Sequence, residues 1–361
     1  MQKQEIKIVL GLMFGDEGKG NTVQYLCRQA QLEGKSVAVI RFSGGPQAAH
    51  RVKYKNKEHI CSSYGAGCLL GIPTYWICPD NTFIDPIAVM EERKHLLQIG
   101  IDMYPQIVDV EHTRWITPYD IIANQNDEKV LKDGTCGKGI FNTFKRNCFG
   151  YHNDPDKLLE WASNFWKIER NEYWDRRFKQ SFYQLLSRQN NTPLSSYDVL
   201  IYEGSQGVLL DKDSEFFPNV TPSKTDLTKL DIPDEAELYL CSRLYVTRHG
   251  NGYVPKISWA EYFFNIEDIC NPPNKFQGTM KYGIFDISLY SSALSRLNLK
   301  NSNPKLVFTH CDTVKDKMLY LDESNVVNYT SLDKFFNIIK NKFNYPIVAS
   351  FSDRSNLFIQ V

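Results

Sequence analysis

A chain of 361 residues with 42% apolar side chains can bury a full core, as one large α/β domain or two smaller ones. Its 42 Lys and Arg balance 42 Asp and Glu, which leaves no global field to attract nucleic acid or an anionic membrane, so small molecules are the expected partners. The nine cysteines are scattered without C-x-x-C pairs or ligand spacing to histidines and read as reduced, mostly core residues. No apolar stretch is long enough to cross a bilayer, and Met1-Gln2-Lys3-Gln4 runs into the first strand without an apolar signal region, so a cytoplasmic location is expected.

The apolar run Ile6 to Leu10 predicts a buried strand, and Asn21 to Gln29 a helix with Val23, Leu26 and Cys27 facing inward. Between them lies Gly11-Leu12-Met13-Phe14-Gly15-Asp16-Glu17-Gly18-Lys19-Gly20. A glycine-rich turn from strand to helix is a phosphate cradle, because backbone N–H groups approach the anion at the positive end of the helix. The usual G-x-x-x-x-G-K-[ST] spacing would need glycine at Met13 and Ser or Thr at Gly20. Instead an acid, Asp16, stands inside the loop, where it would repel a phosphate unless it holds a metal ion or takes a proton.

Ser36 to Phe42 predicts a second buried strand, ending in Ser43-Gly44-Gly45-Pro46-Gln47-Ala48-Ala49-His50. In open α/β sheets ligands gather at the carboxyl ends of strands, so this loop should lie beside the first. Phe83 to Glu92 predicts a helix entered through Asp85-Pro86, and Gln106 to Val110 a strand. Residues 151 to 196 show helical periodicity in Leu158, Leu159, Trp161, Phe165 and Trp166. Asp198 to Tyr202 reads as a strand closed by Glu203-Gly204-Ser205-Gln206-Gly207, Leu244 to Gly252 as a turn, and Pro304 to Phe308 and Pro346 to Phe351 as late strands.

Gly15 to Gly20 resembles the G-D-E-G-K-G signature of the adenylosuccinate synthetase family, which joins aspartate to inosine monophosphate (IMP) at the expense of GTP. Further segments agree in order from Ile6 to Phe358. The resemblance implies one P-loop-NTPase-like α/β domain spanning 1–361 around a mostly parallel sheet, a homodimer, and Mg²⁺ and GTP as cofactor and phosphoryl donor. It implies GTP contacts from Gly15, Glu17, Gly18, Lys19 and Gly20, with Asp16 as base and Asp16 and Ala49 at the metal. Gly44 to His50 is similar to the family's G-G-H-N-A-G-H, which makes His50 the group acting on the transferring phosphate and Gln47 a nucleotide contact.

Gly134-Thr135-Cys136-Gly137-Lys138-Gly139-Ile140 resembles G-T-T-G-R-G-I, which places Thr135 and Cys136 on the acceptor phosphate, with Arg146 standing for an arginine that crosses a dimer interface to that phosphate. Glu203 to Asp211 resembles E-G-A-Q-G-x-L-L-D and assigns Gln206 to the acceptor base and to catalysis. Phe217 to Ser223 resembles Y-P-Y-V-T-S-S and assigns Thr221 to the acceptor phosphate. Thr247 to Gly252 resembles T-R-V-G-A-G, with Arg248 and Gly250 in the wall beside the ribose. Thr309-His310-Cys311-Asp312 resembles the T-K-L-D that reads guanine. A carboxylate accepts both N1–H and the 2-amino group, so Asp312 implies GTP, with His310 over the base and Ser352 beside it.

One segment departs from the family. Its aspartate loop, T-T-G-R-R-R-R-T-G-W-L-D, corresponds to Phe276 to Asp286, where Gly278, Thr279 and Lys281 stand and Lys281 is the one cation between Gly278 and Gly283. Two carboxylates call for bidentate guanidinium partners, which one lysine does not replace. The amine is therefore open between aspartate held from elsewhere and another amine. A phage-type ligase on dGMP and a purine-nucleotide-binding regulator without turnover remain alternatives.

Overall fold

The computed structural model describes residues 3–361 apart from 191, 256–270, 272, 274, 300–301, 315–316 and 351–357. A nine-stranded sheet is formed, in chain order, by β1 (Glu5–Gly11), β2 (Val37–Arg41), β3 (Thr74–Trp76), β4 (Gln106–Ile107), β5 (Val199–Gly207), β6 (Glu237–Arg243), β7 (Asn303–Thr309), β8 (Ile347–Ser350) and β9 (Phe358–Gln360). Across the sheet the order is β9-β8-β7-β6-β1-β5-β2-β3-β4. Every pair is parallel except β8 with β9.

Both faces of this sheet are covered, which is why its strands read as apolar runs rather than as alternations. Successive side chains of β1 feed opposite cores: Ile8 and Leu10 join one with Phe308, Tyr290 and Phe335, while Val9 joins another with Val23, Leu26 and Cys27 of helix α1 (Lys19–Leu32). Helix α2 (Pro86–Gln98) begins as its sequence requires, with Pro86 at the first position and the Asp85 carboxylate accepting from the Ile87 and Ala88 amides at 2.9 and 3.2 Å. A helical segment follows, in which Leu158 and Leu159 of Pro155–Trp166 meet Phe178 and Phe182 of Glu172–Leu186 in the core shared with α1.

Local expectations change in four places. The Glu203 to Gly207 segment does not close its strand but continues it, pairing with β1 as far as Gly207 across a register irregularity between Val9 and Gly11. Glu237–Arg243, which the periodicity did not announce, lies beside β1 at the centre of the sheet. Leu244 to Gly252 contains a strand, Tyr245–Arg248, which runs antiparallel to Lys281–Asp286 in a second, four-stranded sheet. The predicted strand Gln106 to Val110 is confined to Gln106–Ile107. Among the described residues no helix is long and apolar enough to cross a membrane.

Candidate functional site

The carboxyl ends of β1, β2, β5, β6 and β7 open into one cleft of ≈ 1390 Å³. That exceeds the roughly 300–1,000 Å³ typical of a single small-molecule pocket and leaves room for more than one ligand. β1 lies where the strand order reverses direction, the switch point at which open α/β sheets bind ligands.

The first loop is clamped from three strands. Leu12 N donates to Cys241 O at 2.9 Å, Thr247 Oγ1 to Gly15 O at 2.8 Å, and Thr309 Oγ1 to Glu17 O at 3.2 Å. Gly18 sits at φ 75°, and a Cβ there would come within 2.6 Å of Thr309 Cγ2. Gly20 replaces the Ser or Thr of the usual phosphate loop for a steric reason, since a Cβ would lie 2.8 Å from His50 Cβ. The second loop is thereby packed directly on the first.

Asp16 adopts φ 56° and presents its carboxylate to the cleft. Its Oδ2 accepts from Arg243 Nη2 at 2.6 Å and from Asn271 Nδ2 at 3.0 Å, and Arg243 Nε also donates to its carbonyl. Burial works to raise its pKa, but Arg243, His310, His249 and Lys19 together hold it at about 2. Glu17, expected among the GTP contacts, turns its carboxylate under the loop to the amides of Met13 and Gly15. Burial pushes it up to about 7, against Lys19 and those two amides. Lys19, 2% exposed at the start of α1, lines the cleft with Gly15, Gly18 and Gly20.

His50 Nδ1 lies 2.5 Å from Glu203 Oε1, and its Nε2 is buried with no hydrogen-bonding partner among the described residues. Burial lowers the His50 pKa in spite of Glu203. Glu203 is fully buried, which would raise its own pKa, yet His50 and Arg41 hold it below the ordinary value. Arg41 in turn donates to Ser205 Oγ at 2.9 Å, and Glu203 Oε2 accepts from the Ala66 amide at 3.0 Å. Sequence reasoning did not single out Glu203 as a site residue. The available signal was its position at the head of the glycine-glutamine segment, but only the strand pairing sets it beside His50.

Gln47, Gln206 and Thr221 converge on the same cleft. Both side-chain polar atoms of Gln47, Gln206 Oε1 and Thr221 Oγ1 are buried without a partner among the described residues. Buried polar groups are normally hydrogen-bonded, so this convergence marks a binding surface. Thr135 and Cys136 line the cleft as well. Thr135 Oγ1 donates to Asn124 Oδ1 at 3.1 Å, and burial raises the Cys136 thiol pKa.

Two arginines do not face the cleft. Arg146, expected to reach toward an acceptor phosphate across an interface, is fully buried within its own chain. It forms two 2.8 Å hydrogen bonds to the Asp120 carboxylate and one to Trp115 O, under Trp161. Burial pushes Asp120 up, and Arg146 overcomes this to hold it below the ordinary carboxylate value. Its neighbour Lys145 lines the cleft instead. Arg248, expected in the ribose wall, stacks on Phe14 at 4.1 Å and donates to the carbonyls of Asn251, Tyr253 and Asn219. Burial lowers its pKa to about 10. Gly250, at φ 69°, packs on the Gly134 carbonyl, while His249 and Asn251 form the wall.

His310 and Asp312 line the cleft just past β7, and Ser352 lies outside the described residues. Gly278 and Thr279 are exposed, and Lys281 begins a strand with its Nζ 3.5 Å from Asn251 Oδ1. Asn251, Asn271 and Gln277 give that side of the cleft an amide lining. Asp286, which anchors the resemblance there, caps a helix through the Ser288 and Leu289 amides at 2.8 and 3.0 Å. The ionised Asp16 carboxylate and the exposed Ala49 line the same cleft and offer hard oxygen donors, a chemistry that suits a magnesium ion.

A sequence profile described as adenylosuccinate synthetase matches residues 8–150. The chain is 28% identical to the adenylosuccinate synthetase of Clostridium beijerinckii over 247 residues, covering 60% of this chain and 56% of that one. It thus spans little more than half the length of that relative. Against the Buchnera aphidicola enzyme of the same name, identity is 26% over 346 residues, covering 84% and 77%. Two solved structures share the fold. Fully ligated adenylosuccinate synthetase from Plasmodium falciparum superposes with a TM-score of 0.76 at 18% identity, covering 99% of this chain and all of that one. A cyanophage S-2L succinoaminodeoxyadenylate synthetase, bound to dGMP and to dATP as an energy donor, gives 0.66 at 12% identity, covering 99% and 95%.

Proposed function

We propose that this chain, a divergent relative of the adenylosuccinate synthetases, is a GTP-dependent ligase that forms a C–N bond on a 6-oxopurine nucleotide. IMP is the acceptor and a carboxylate-bearing amine, aspartate first, the nucleophile. The observation that carries this reading is the convergence of His50 Nε2, Gln47, Gln206 Oε1 and Thr221 Oγ1, buried and unpartnered among the described residues, on a cleft that also holds Asp16 and Lys19.

The oxygen on a purine C6 is a poor leaving group. Asp16 takes the N1 proton, which makes O6 nucleophilic toward the γ-phosphate of GTP. A carboxylate held at about 2 is a weak base, so acceptor binding has to draw Asp16 Oδ2 away from Arg243 and Asn271 before it acts. His50, oriented by Glu203 through Nδ1, directs Nε2 at the transferring group, and Lys19 offsets its charge. Gln206 and Gln47 hold the base, Thr135 and Thr221 the acceptor phosphate, and Asp312 the guanine. Asp16 and Ala49 would hold Mg²⁺, which would supply charge neutralisation for the phosphoryl transfer. The amine then displaces the 6-phosphoryl group. Kinship with the adenylosuccinate synthetases supports a cytoplasmic enzyme and a homodimer.

The test is GTP consumption with Mg²⁺ and IMP across a panel of amines, with products read by mass spectrometry and dGMP run in parallel. IMP- and amine-dependent consumption is expected, and Asp16→Asn should abolish it while nucleotide binding stays within about tenfold, since the loop keeps its size. Tight GTP and IMP binding without turnover by any amine would replace the ligase with a regulator.

A further inference from the structure

Behind the wall that carries His50, three metal-ligating side chains meet. His59 and Cys61 lie on the strand Lys57–Cys61 and Cys68 on the short turn Cys68–Leu70. One ligand atom from each lies within 4.8 Å of the others, and all three residues are buried. The two thiol sulfurs are 3.5 Å apart. The sequence gives no hint of this, since His-x-Cys followed by a cysteine seven residues later matches no common spacing.

We propose that His59, Cys61 and Cys68 form a structural zinc site, whose fourth position the exposed His95, which meets His59 but lies outside the three-ligand cluster, fills by turning its ring inward. Four features of the cluster favour a thiophilic divalent ion. Glu92 accepts from His59 Nε2 at 3.0 Å, the outer-shell contact that fixes a metal-binding imidazole and leaves the lone pair on Nδ1. His59 Nδ1 faces His95 Nδ1 at 2.8 Å with the rings stacked 15° from parallel, so two ring nitrogens are already directed at one another. Glu92 is itself held by the Ser62, Ser63 and Tyr64 amides, which leaves it a positioning group rather than a ligand. Two thiolates and two neutral imidazoles around Zn²⁺ sum to zero charge, an arrangement that can be buried.

Binding releases two thiol protons to solvent and moves the His95 Nδ1 proton to Nε2, with no change of oxidation state. Burial raises the Cys61 thiol pKa, so the ion and not a neighbouring cation has to drive that release. Cys61 pairs in register with His50, and a bound ion would therefore fix the hairpin that aims His50 into the cleft.

The experiment is metal analysis of the purified, dialysed chain by plasma mass spectrometry, followed by chelation and titration with Co²⁺. One zinc per chain and a thiolate-to-cobalt charge-transfer band with the strong visible bands of tetrahedral cobalt are expected. Cys61→Ser and Cys68→Ser should lose both, His95→Ala should weaken retention at least tenfold, and Cys148→Ser, at an exposed thiol outside the cluster, should change neither. The unmodified chain decides the matter even if a variant fails to fold. Absence of retained zinc together with absence of a cobalt–thiolate band would overturn the site. A Cys61–Cys68 disulfide in the freshly reduced and repurified chain would overturn it as well.

Discussion

The phosphate side of the cleft and its acceptor side were built by different rules. On the phosphate side, Asp16, Lys19, Gln47 and His50 stand in the short loops that leave β1 and β2 or at the first turn of α1, where the backbone path fixes the direction of each side chain. On the acceptor side, Arg146 and Arg248 belong to segments that also have to pack, and both guanidinium groups turn inward onto carboxylate, carbonyl and aromatic partners. Asparagine, glutamine, threonine, His249 and Lys145 line the ligand space there instead. A residue's letter in a motif therefore predicts its role best where the turn itself aims it, and least where a long flexible side chain can find a buried partner.

The sharpest test of this contrast is on the phosphate side. His50→Asn and Glu203→Gln should each lower the rate of GTP consumption by about 10²–10⁴-fold, with little change in thermal stability for His50→Asn. A Glu203→Gln variant of full activity would show that the His50 contact is only structural. On the other side the same kind of change should act through folding. Arg146→Met leaves Asp120 charged and buried, and should cost about 3–5 kcal/mol in urea unfolding. A stable Arg146→Met chain with a raised acceptor KM would reverse the contrast.

A pH titration of stability probes the loop between them. Glu17 is raised from 4.5 to about 7 in the folded chain, so its contribution is fully present below 4.5 and is lost as pH rises through 7. Glu17→Gln should flatten that part of the urea-midpoint profile, an effect on the order of a few kcal/mol. An unchanged slope between pH 5 and 7 in that variant would place the titration elsewhere. The smallest expected effect is at the guanine end. Asp312→Asn should weaken GTP by about 1–3 kcal/mol while leaving ATP binding as it was, measured by calorimetry. Equal loss for both nucleotides would mean that Asp312 does not read the base.

The amide-lined wall leads to a further expectation. With Gly278 and Thr279 exposed and Lys281 beside Asn251, aspartate should saturate GTP consumption only at high concentration, and arginines at Thr279 and Met280 should improve it. Because Met280 is buried, the Thr279→Arg change alone is the cleaner version. Saturation by sub-millimolar aspartate in the unmodified chain would show that groups elsewhere already hold both carboxylates.

The sequence by itself determined the α/β character, the strand-loop-helix unit around Gly11 to Gly20, the proline-led start of α2 and the composition of the two glycine loops. These follow from short-range physics: apolar runs, glycine where φ is positive, and caps within three residues of what they cap. Only the tertiary structure decided the rest. Glu237–Arg243 looks like an ordinary mixed segment until β1 and β7 flank it, and Glu203 becomes His50's partner only because β5 continues past the expected stop. Cys68 meets His59 and Cys61, and Arg146 meets Asp120, through contacts that no local period encodes. Each depends on which strand lies beside which, and hence on the packing of the whole chain.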